Sequence, residues 1–188
     1  MTTDAAVSPG SDELDLKYGP CLEAGRPILA QEYHCRPASL QMLSNETAGE
    51  IKQYLATATN GLLIPGAIHR VHPILWLIDF VGHVWFAVEE VINEDSDFIY
   101  TMGRGTELPK GHYKLGHPSL LMSTTDKRAR IGGEIKFHAP TSTWRISNRS
   151  GRYGMRDHQV EAHLLAAAEL FAQYQIHLVP SFWPLKAS

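Results

Sequence analysis

Apolar positions recur along the chain at two different periods, and the changes of period mark out its elements. Ala48, Ile51, Tyr54, Leu55 and Ala58 stand at helical spacing and predict a helix over residues 46–58. Ser44 or Asn45 can cap it, Glu46 sits in its first turn, and Asn60-Gly61 ends it. Residues 72–81 (HPILWLIDFV) and 84–92 (VWFAVEEVI) are rich in β-branched and aromatic side chains, and the intervening Gly82-His83 has the length of a tight hairpin. After a polar turn at 93–97, residues 98–102 read as a third strand of the same meander. Residues 128–137 alternate, with Ile131, Gly133, Ile135 and Phe137 on one face and Gly132, Glu134 and Lys136 on the other; residues 142–148 pair with them as a hairpin. The adjacent glycines 132 and 133 point to a bulge or to close approach of another backbone. A last helix begins at Asp157 and turns Val160, Leu164, Ala167, Ala168, Phe171 and Tyr174 to the core, and residues 176–182 return as a short edge strand. The fold class expected is α+β, an antiparallel β-meander or sheet of about five strands with two main helices packed on it.

Three stretches lack a period. Residues 1–17 are polar and read as a disordered tail; residues 18–44, interrupted by Pro20, Pro27 and Pro37, read as an extended arm; residues 103–116 form a long glycine-containing loop. With 188 residues in all, residues 18–188 are expected to build a single domain. No run approaches the roughly 20 apolar residues that span a bilayer, so the chain reads as soluble with no membrane partner. Its acidic start is unlike a secretory signal, so a cytoplasmic setting is expected, with delivery by a machine that reads no cleavable signal left open. Cys21 and Cys35 imply neither a disulfide framework nor a zinc site, and the spacings of the ten histidines match no metal pattern.

Charge changes this picture, because it is segregated. Residues 76–100 carry Asp79, Glu89, Glu90, Glu94, Asp95 and Asp97 and no Lys or Arg. Residues 126–156 carry eight basic residues against Asp126 and Glu134. The two segments either neutralise each other across a sheet or present an acidic surface and an anion-binding face. Because the aromatic strands are the acidic ones, the pattern argues against a nucleic-acid partner.

Two polar segments can carry chemistry: residues 116–121 (GHPSLL) and residues 147–154 (SNRSGRYG), both at strand ends, and their role depends on meeting in space. Together with HVWFAVEE, FIYTMGRG and ARIGGEIKF they resemble a domain of uncharacterised bacterial proteins, some of them multidomain toxins, and a region of plant IQ-motif calmodulin-binding proteins. The pattern of that group is a His-Ser-Ser-Phe-Leu segment, an Ala-Gly-Glu/Arg strand and a Ser-Gly-His-Tyr-x-Pro loop. The matching positions are His117, Ser119 and Leu120; Gly132, Gly133 and Glu134; and Ser150, Gly151 and Tyr153, over about half the chain. The resemblance implies an order of elements and an effector- or toxin-type setting. Arg152 stands where the group has His, and the Pro after Gly154 is missing, so an acid–base role at 152 is not implied. No IQ motif is present, so calmodulin binding is not implied either.

On their own chemistry, His117, Ser119 and Glu134 are the candidate catalytic residues, a hydroxyl beside an imidazole with a carboxylate opposite. The structural alternative is that His117 tethers the loop, that Ser119 starts a short helix behind Pro118, and that Glu134 pairs with an arginine. Arg149, Ser150, Gly151, Arg152 and Tyr153 are the candidate ligand-binding residues, since forked donors and small residues suit a phosphate or carboxylate. Two functions follow as expectations. One is a small domain binding a phosphate-bearing ligand through both loops, cofactor and reaction unknown. The other is a non-catalytic immunity, adaptor or regulatory protein whose acidic 76–100 hairpin meets a basic protein partner.

Overall fold

The computed structural model describes residues 11–60, 67–68 and 72–185, and its centre is the most apolar run in the chain. Strand β2 (Ile74–Ile78) is buried at every position, so both of its faces are covered. It lies between β3 (Val84–Val88) and β7 (Ile131–His138), antiparallel to each. Beyond β3 comes β1 (Gln41–Met42), and beyond β7 come β8 (Thr143–Ser147) and β9 (Val179–Ser181). A second sheet holds β5 (Phe98–Thr101), β4 (Glu90–Asn93) and β6 (His112–Leu115), in that order. Among the described residues the helices are α1 (Ser11–Tyr18), α2 (Ala30–His34), α3 (Ala48–Thr59) and α4 (Glu161–Gln173).

Alternation along β2 divides the interior in two. Ile74, Trp76 and Ile78 join Ile131, Ile135 and Ile146 against Leu14 and Tyr18 of α1, Ile51 and Leu55 of α3, and Leu164 and Phe171 of α4. Leu75 and Leu77 point the other way, to Ala87, Leu120, Leu121, Ala129 and Tyr153. Helices α1, α3 and α4 therefore cover one face, and the two polar segments singled out above contribute Leu120, Leu121 and Tyr153 to the cover of the other. Indole N–H groups are bonded: Trp76 Nε1 donates to Ser147 O at 3.2 Å and Trp144 Nε1 to Leu55 O at 2.9 Å.

The α+β class holds, while the sheet differs from the expected five antiparallel strands. It has six strands and is mixed, because β9 runs parallel to β8 after the α4 crossover. The meander is broken as well. Residues 84–92 read as one strand, but the chain passes from the large sheet to the small one at Glu89, whose side chain is held by Arg104 and Lys114. The expected loop 103–116 contains β6, which pairs with β4.

The tail expected over 1–17 is helical from Ser11, because Leu14 and Tyr18 find the large core and Asp15 meets the buried Arg130; residues 1–10 lie outside the described ones. Helix α3 falls where its period puts it, although Tyr54 is exposed, and Ser44 Oγ accepts the Glu46 and Thr47 amides at 3.2 and 3.3 Å. The Ala58 side chain and Gly61 lie outside the described residues. Helix α4 begins at Glu161 rather than at Asp157, and Val160 is exposed, because the buried Gln159 amide donates to Arg130 O at 3.0 Å and holds 157–159 as a turn.

Glycines 132 and 133 mark a close approach. Pairing of β7 with β2 runs through both without interruption, so there is no bulge on that side. A Cβ on Gly133 would overlap the Ser147 carbonyl oxygen, and one on Gly154 would overlap the carbonyl oxygens of Asn148 and Gly132. Residues 147–154 thus lie directly on the β7 backbone. Gly133→Ala is expected to lower stability by about 3 kcal/mol, since backbone must move. Gly49→Ala, at an exposed helical position with open space around it, is expected to raise it by about 0.5–1 kcal/mol. Urea unfolding of the two variants checks both signs.

Candidate anion-binding site

The loop that follows β8 is built on hydrogen bonds its own sequence supplies. Asn148, wholly buried, donates from Nδ2 to Gly154 O at 3.1 Å and to Trp183 O at 2.9 Å, while its Oδ1 accepts the Trp183 amide at 2.7 Å. Ser150 Oγ accepts the amides of Arg152 and Tyr153, at 3.4 and 3.2 Å. Tyr153 O accepts the Gly132 amide at 3.2 Å, and the Tyr153 hydroxyl donates to Lys127 O at 2.7 Å. Tyr153 is fully buried, and burial holds its phenol well above the ordinary value. It packs as a core side chain with its hydroxyl already bonded, rather than facing a ligand.

The two polar segments do meet, through a residue that the sequence did not single out. Glu32 of α2 is 1 % exposed. Its Oε1 accepts the Gly116 amide at 3.1 Å and a short bond from Arg152 Nη1, and its Oε2 accepts the Leu29 amide at 2.9 Å. Arg152 Nη2 donates to Pro27 O at 3.0 Å. Where a bound anion was expected between the loops stands a carboxylate of the chain's own arm.

His117 and Glu134 come close together, while Ser119 stands apart in role. His117 Nε2 lies 2.8 Å from Gly133 O, which only accepts, so Nε2 carries a proton and donates. Burial pushes the imidazole below its ordinary pKa, against the opposing effect of that bond and of the Glu134 and Glu89 charges, so it is neutral at pH 7. Ser119 is fully buried in the 3-10 turn His117–Leu120, and its hydroxyl has no partner among the described residues. Neither Ser119 nor Glu134 lines the cleft beside Gly151.

Glu134 belongs instead to an ion network where the two sheets join. Arg104 Nη2 bridges it to Glu89, at 2.8 and 2.9 Å, with Lys136 2.7 Å from Glu134 and Lys114 3.5 Å from Glu89. Burial raises both carboxyls, and the hydrogen bonds and charge of Arg104, with help from the lysines, more than offset this, leaving both below the usual carboxylate range. Neither half of the segregated charge pattern neutralises the other here, because Arg104 and Lys114 lie between the two segments in the chain.

Several other basic residues are also committed. Lys127 Nζ donates to Pro118 O and Leu121 O, at 3.0 and 2.9 Å, and burial together with the Arg36 charge holds it down to about 8. Arg130 binds Phe80 O, Gly19 O and Asp15. Arg149 lies 5.2 Å over the Trp183 ring. Of the five expected ligand-binding residues, Gly151 lines a space of about 460 Å³ between residues 22–26 of the arm and residues 155–158, and the other four are not on its lining. Arg26 lies on Gly151 there, its Cζ 2.8 Å from where a Gly151 Cβ would stand, and it makes no hydrogen bond or ion pair to any described residue. Arg156 lines the same space, its guanidinium 5.1 Å over the Tyr153 ring and bonded by Nη2 to Glu23 O.

Arg26, Glu32 and Arg104 were missed because nothing local marks them, and Glu89 was read only as part of the acidic hairpin. Gly25-Arg26-Pro27 carries the only hint, a basic residue between two turn formers. No described group of three or more His, Cys, Asp or Glu side chains is arranged to hold a metal ion. No described helix is long and apolar enough to cross a membrane.

Replacing Arg104 by Gln leaves two buried carboxylates without their bridge. The expected loss is about 2 kcal/mol at pH 7, less than for a fully buried pair because the Arg104 side chain is 32 % exposed. Both carboxyls titrate lower in the folded state than in the unfolded chain, so the network stabilises above the ordinary carboxylate pKa and its contribution is lost as pH falls through the folded values. The gap between wild type and Arg104→Gln should therefore be full at pH 7 and shrink below about pH 4, read by urea unfolding at each pH.

Comparison of the chain with known proteins found no matching family model, no matching curated protein and no matching solved structure.

Proposed function

We propose that the chain binds a small phosphate-bearing ligand in the cleft between the arm and the 151–158 loop. One observation carries this reading: Arg26 presents a forked donor with no partner among the described residues, directly above a glycine floor, in a space of ligand size. Arg156 supports it from the side. Its Nε has no partner among the described residues, and its burial makes it a stronger electrostatic donor than a solvated arginine. His158 lines the cleft too, with burial lowering its pKa, so at pH 7 it offers a neutral donor or acceptor. Glu23 and Asp157 also line it. Selectivity for an anion then rests on the direction of the forked donors at the Gly151 floor rather than on net charge. Leu22, Met155 and Leu185 add an apolar wall suited to the non-phosphate part of the ligand. The effector- or toxin-type setting rests on the sequence resemblance alone, and no reaction is assigned.

A second reading, a non-catalytic partner of a basic protein, has one observation in its favour. With Glu89 and Glu90 taken up inside the chain, Glu94, Asp95 and Asp97 remain exposed on the β4–β5 turn beside Phe98, which is 65 % exposed.

Melting temperature across inorganic phosphate, nucleotides and dinucleotides separates the two. A ligand at about a hundred times its dissociation constant stabilises the folded state by roughly 2.7 kcal/mol. Wild type and Arg149→Ala should show the same upward shift, and Arg26→Ala should lose it. Absence of any shift, or an equal shift in Arg26→Ala, removes the cleft reading and leaves the acidic turn as the surface to pursue.

A further inference from the structure

Two cations, Arg152 and Lys127, stand near one carboxylate, Glu32, beneath the arm. Glu32 accepts from Arg152 directly, and the charges of Glu32 and Arg36 both act on Lys127. Arg36 is spent on four carbonyl oxygens, those of Tyr33, Cys35, Met122 and Ser123, and these bonds fasten the end of α2 to the chain just past the 3-10 turn. Lys127 is spent on two more. Carbonyl oxygens are dipoles with no net charge, so neither Arg36 nor Lys127 has a hydrogen-bonded acid among the described residues.

The contacts of Glu32 are those that a free carboxylate or phosphate would seek: a backbone N–H and a guanidinium N–H in a buried place that keeps water out. Gly116 is part of the fit. A Cβ at that position would stand 2.7 Å from Glu32 Oε1 and 3.0 Å from Arg152 Nη1, so a side chain there would crowd the ends of the ion pair. The carboxylate comes from a five-residue helix in the arm, outside both sheets. It is long-range in sequence from Gly116 and Arg152, which belong to the two loops packed on the central strands.

We infer that the Gly116 amide and the Arg152 guanidinium form a binding site for a carboxylate or phosphate group, and that Glu32 occupies it as a built-in competitor carried by the arm. An incoming anion displaces Glu32 and, with it, α2 and the bond from Arg152 to Pro27. This site is separate from the cleft proposed above. It uses neither Arg26 nor Arg156, and it stands or falls on its own.

Chemical rescue tests it. Glu32→Ala removes the internal carboxylate and leaves both donors in place, and Glu32→Ala/Arg152→Ala removes the guanidinium as well. Melting temperature is followed against formate and inorganic phosphate, with chloride at matched ionic strength as reference; comparison with the double variant subtracts the general stabilisation that phosphate gives any folded protein. Glu32→Ala should melt below wild type and recover with a saturating dependence on formate, while the double variant shows no formate-specific recovery. If Glu32→Ala is unfolded in chloride, the same series is read as recovery of far-UV circular dichroism. Equal responses of the single and double variants, or no recovery in either anion, would overturn the site. Arg26→Ala added to Glu32→Ala should leave the rescue unchanged, which separates this result from failure of the cleft.

Discussion

Close contact between the 147–154 segment and the backbone of β7 is the constraint on which the rest depends. Side chains normally hold a loop several ångströms from the strand it crosses. Here Gly133 and Gly154 remove that separation, and the Tyr153 carbonyl reaches the Gly132 amide. Once the loop lies there, Tyr153 enters the second core, Arg152 is directed toward α2, and Asn148 ties the C-terminal segment at Trp183 to the same strand. The glycine pair costs β7 strand propensity and conformational entropy. That cost is offset by pairing on both sides and by a buried network whose polar atoms are nearly all bonded.

Much of this was legible, and for a physical reason. Helices α3 and α4 and strands β2, β3, β7 and β8 each bury one side or both against the two cores, so their apolar periods mirror their environments. The close approach at 132–133 was legible too, because a strand gives up two adjacent side chains, and the packing they would supply, only where something else needs the space. Illegible were the places where side-chain identity and environment part company. Residues 84–92 keep a strand-like pattern across a change of sheet, since the departure at Glu89 is made by an ion pair with a residue fifteen positions on. Helix α1 exposes Leu16 and relies on only two core residues, Leu14 and Tyr18, plus the bond of Asp15 to Arg130. A polar octet of that kind carries no amphipathic signal.

For the candidate site, sequence located the segments and misjudged their chemistry. A run of arginines suggests an anion, but sequence does not say whose. Arg152 meets a carboxylate 120 positions away, Arg149 an indole, Arg130 and Lys127 mainly carbonyl oxygens. Carbonyl partners are invisible in composition because every residue supplies one. They also explain how a chain can bury Arg130 and Lys127, both at most 1 % exposed, without a matching number of buried acids. Such cations act as staples: each draws together two carbonyl groups beneath a loop.

That use of charge bears on which arginines remain for a ligand. A guanidinium already shared among fixed carbonyl oxygens offers an incoming anion charge but few free N–H groups, and freeing one would uncover buried acceptors. Arg26 has no such commitments among the described residues, and Arg152 is committed chiefly to a carboxylate, the one partner that another anion can replace in kind. The two differ in what binding would move. An anion on Arg26 adds to the structure as it stands, whereas an anion on Arg152 must lift α2, which is also held by the Arg36 fan and by the bond from Gln31 to Glu94. At the first site a ligand would meet a preformed cleft. Entry at the second is an exchange, and its affinity is reduced by whatever the arm gains from staying down.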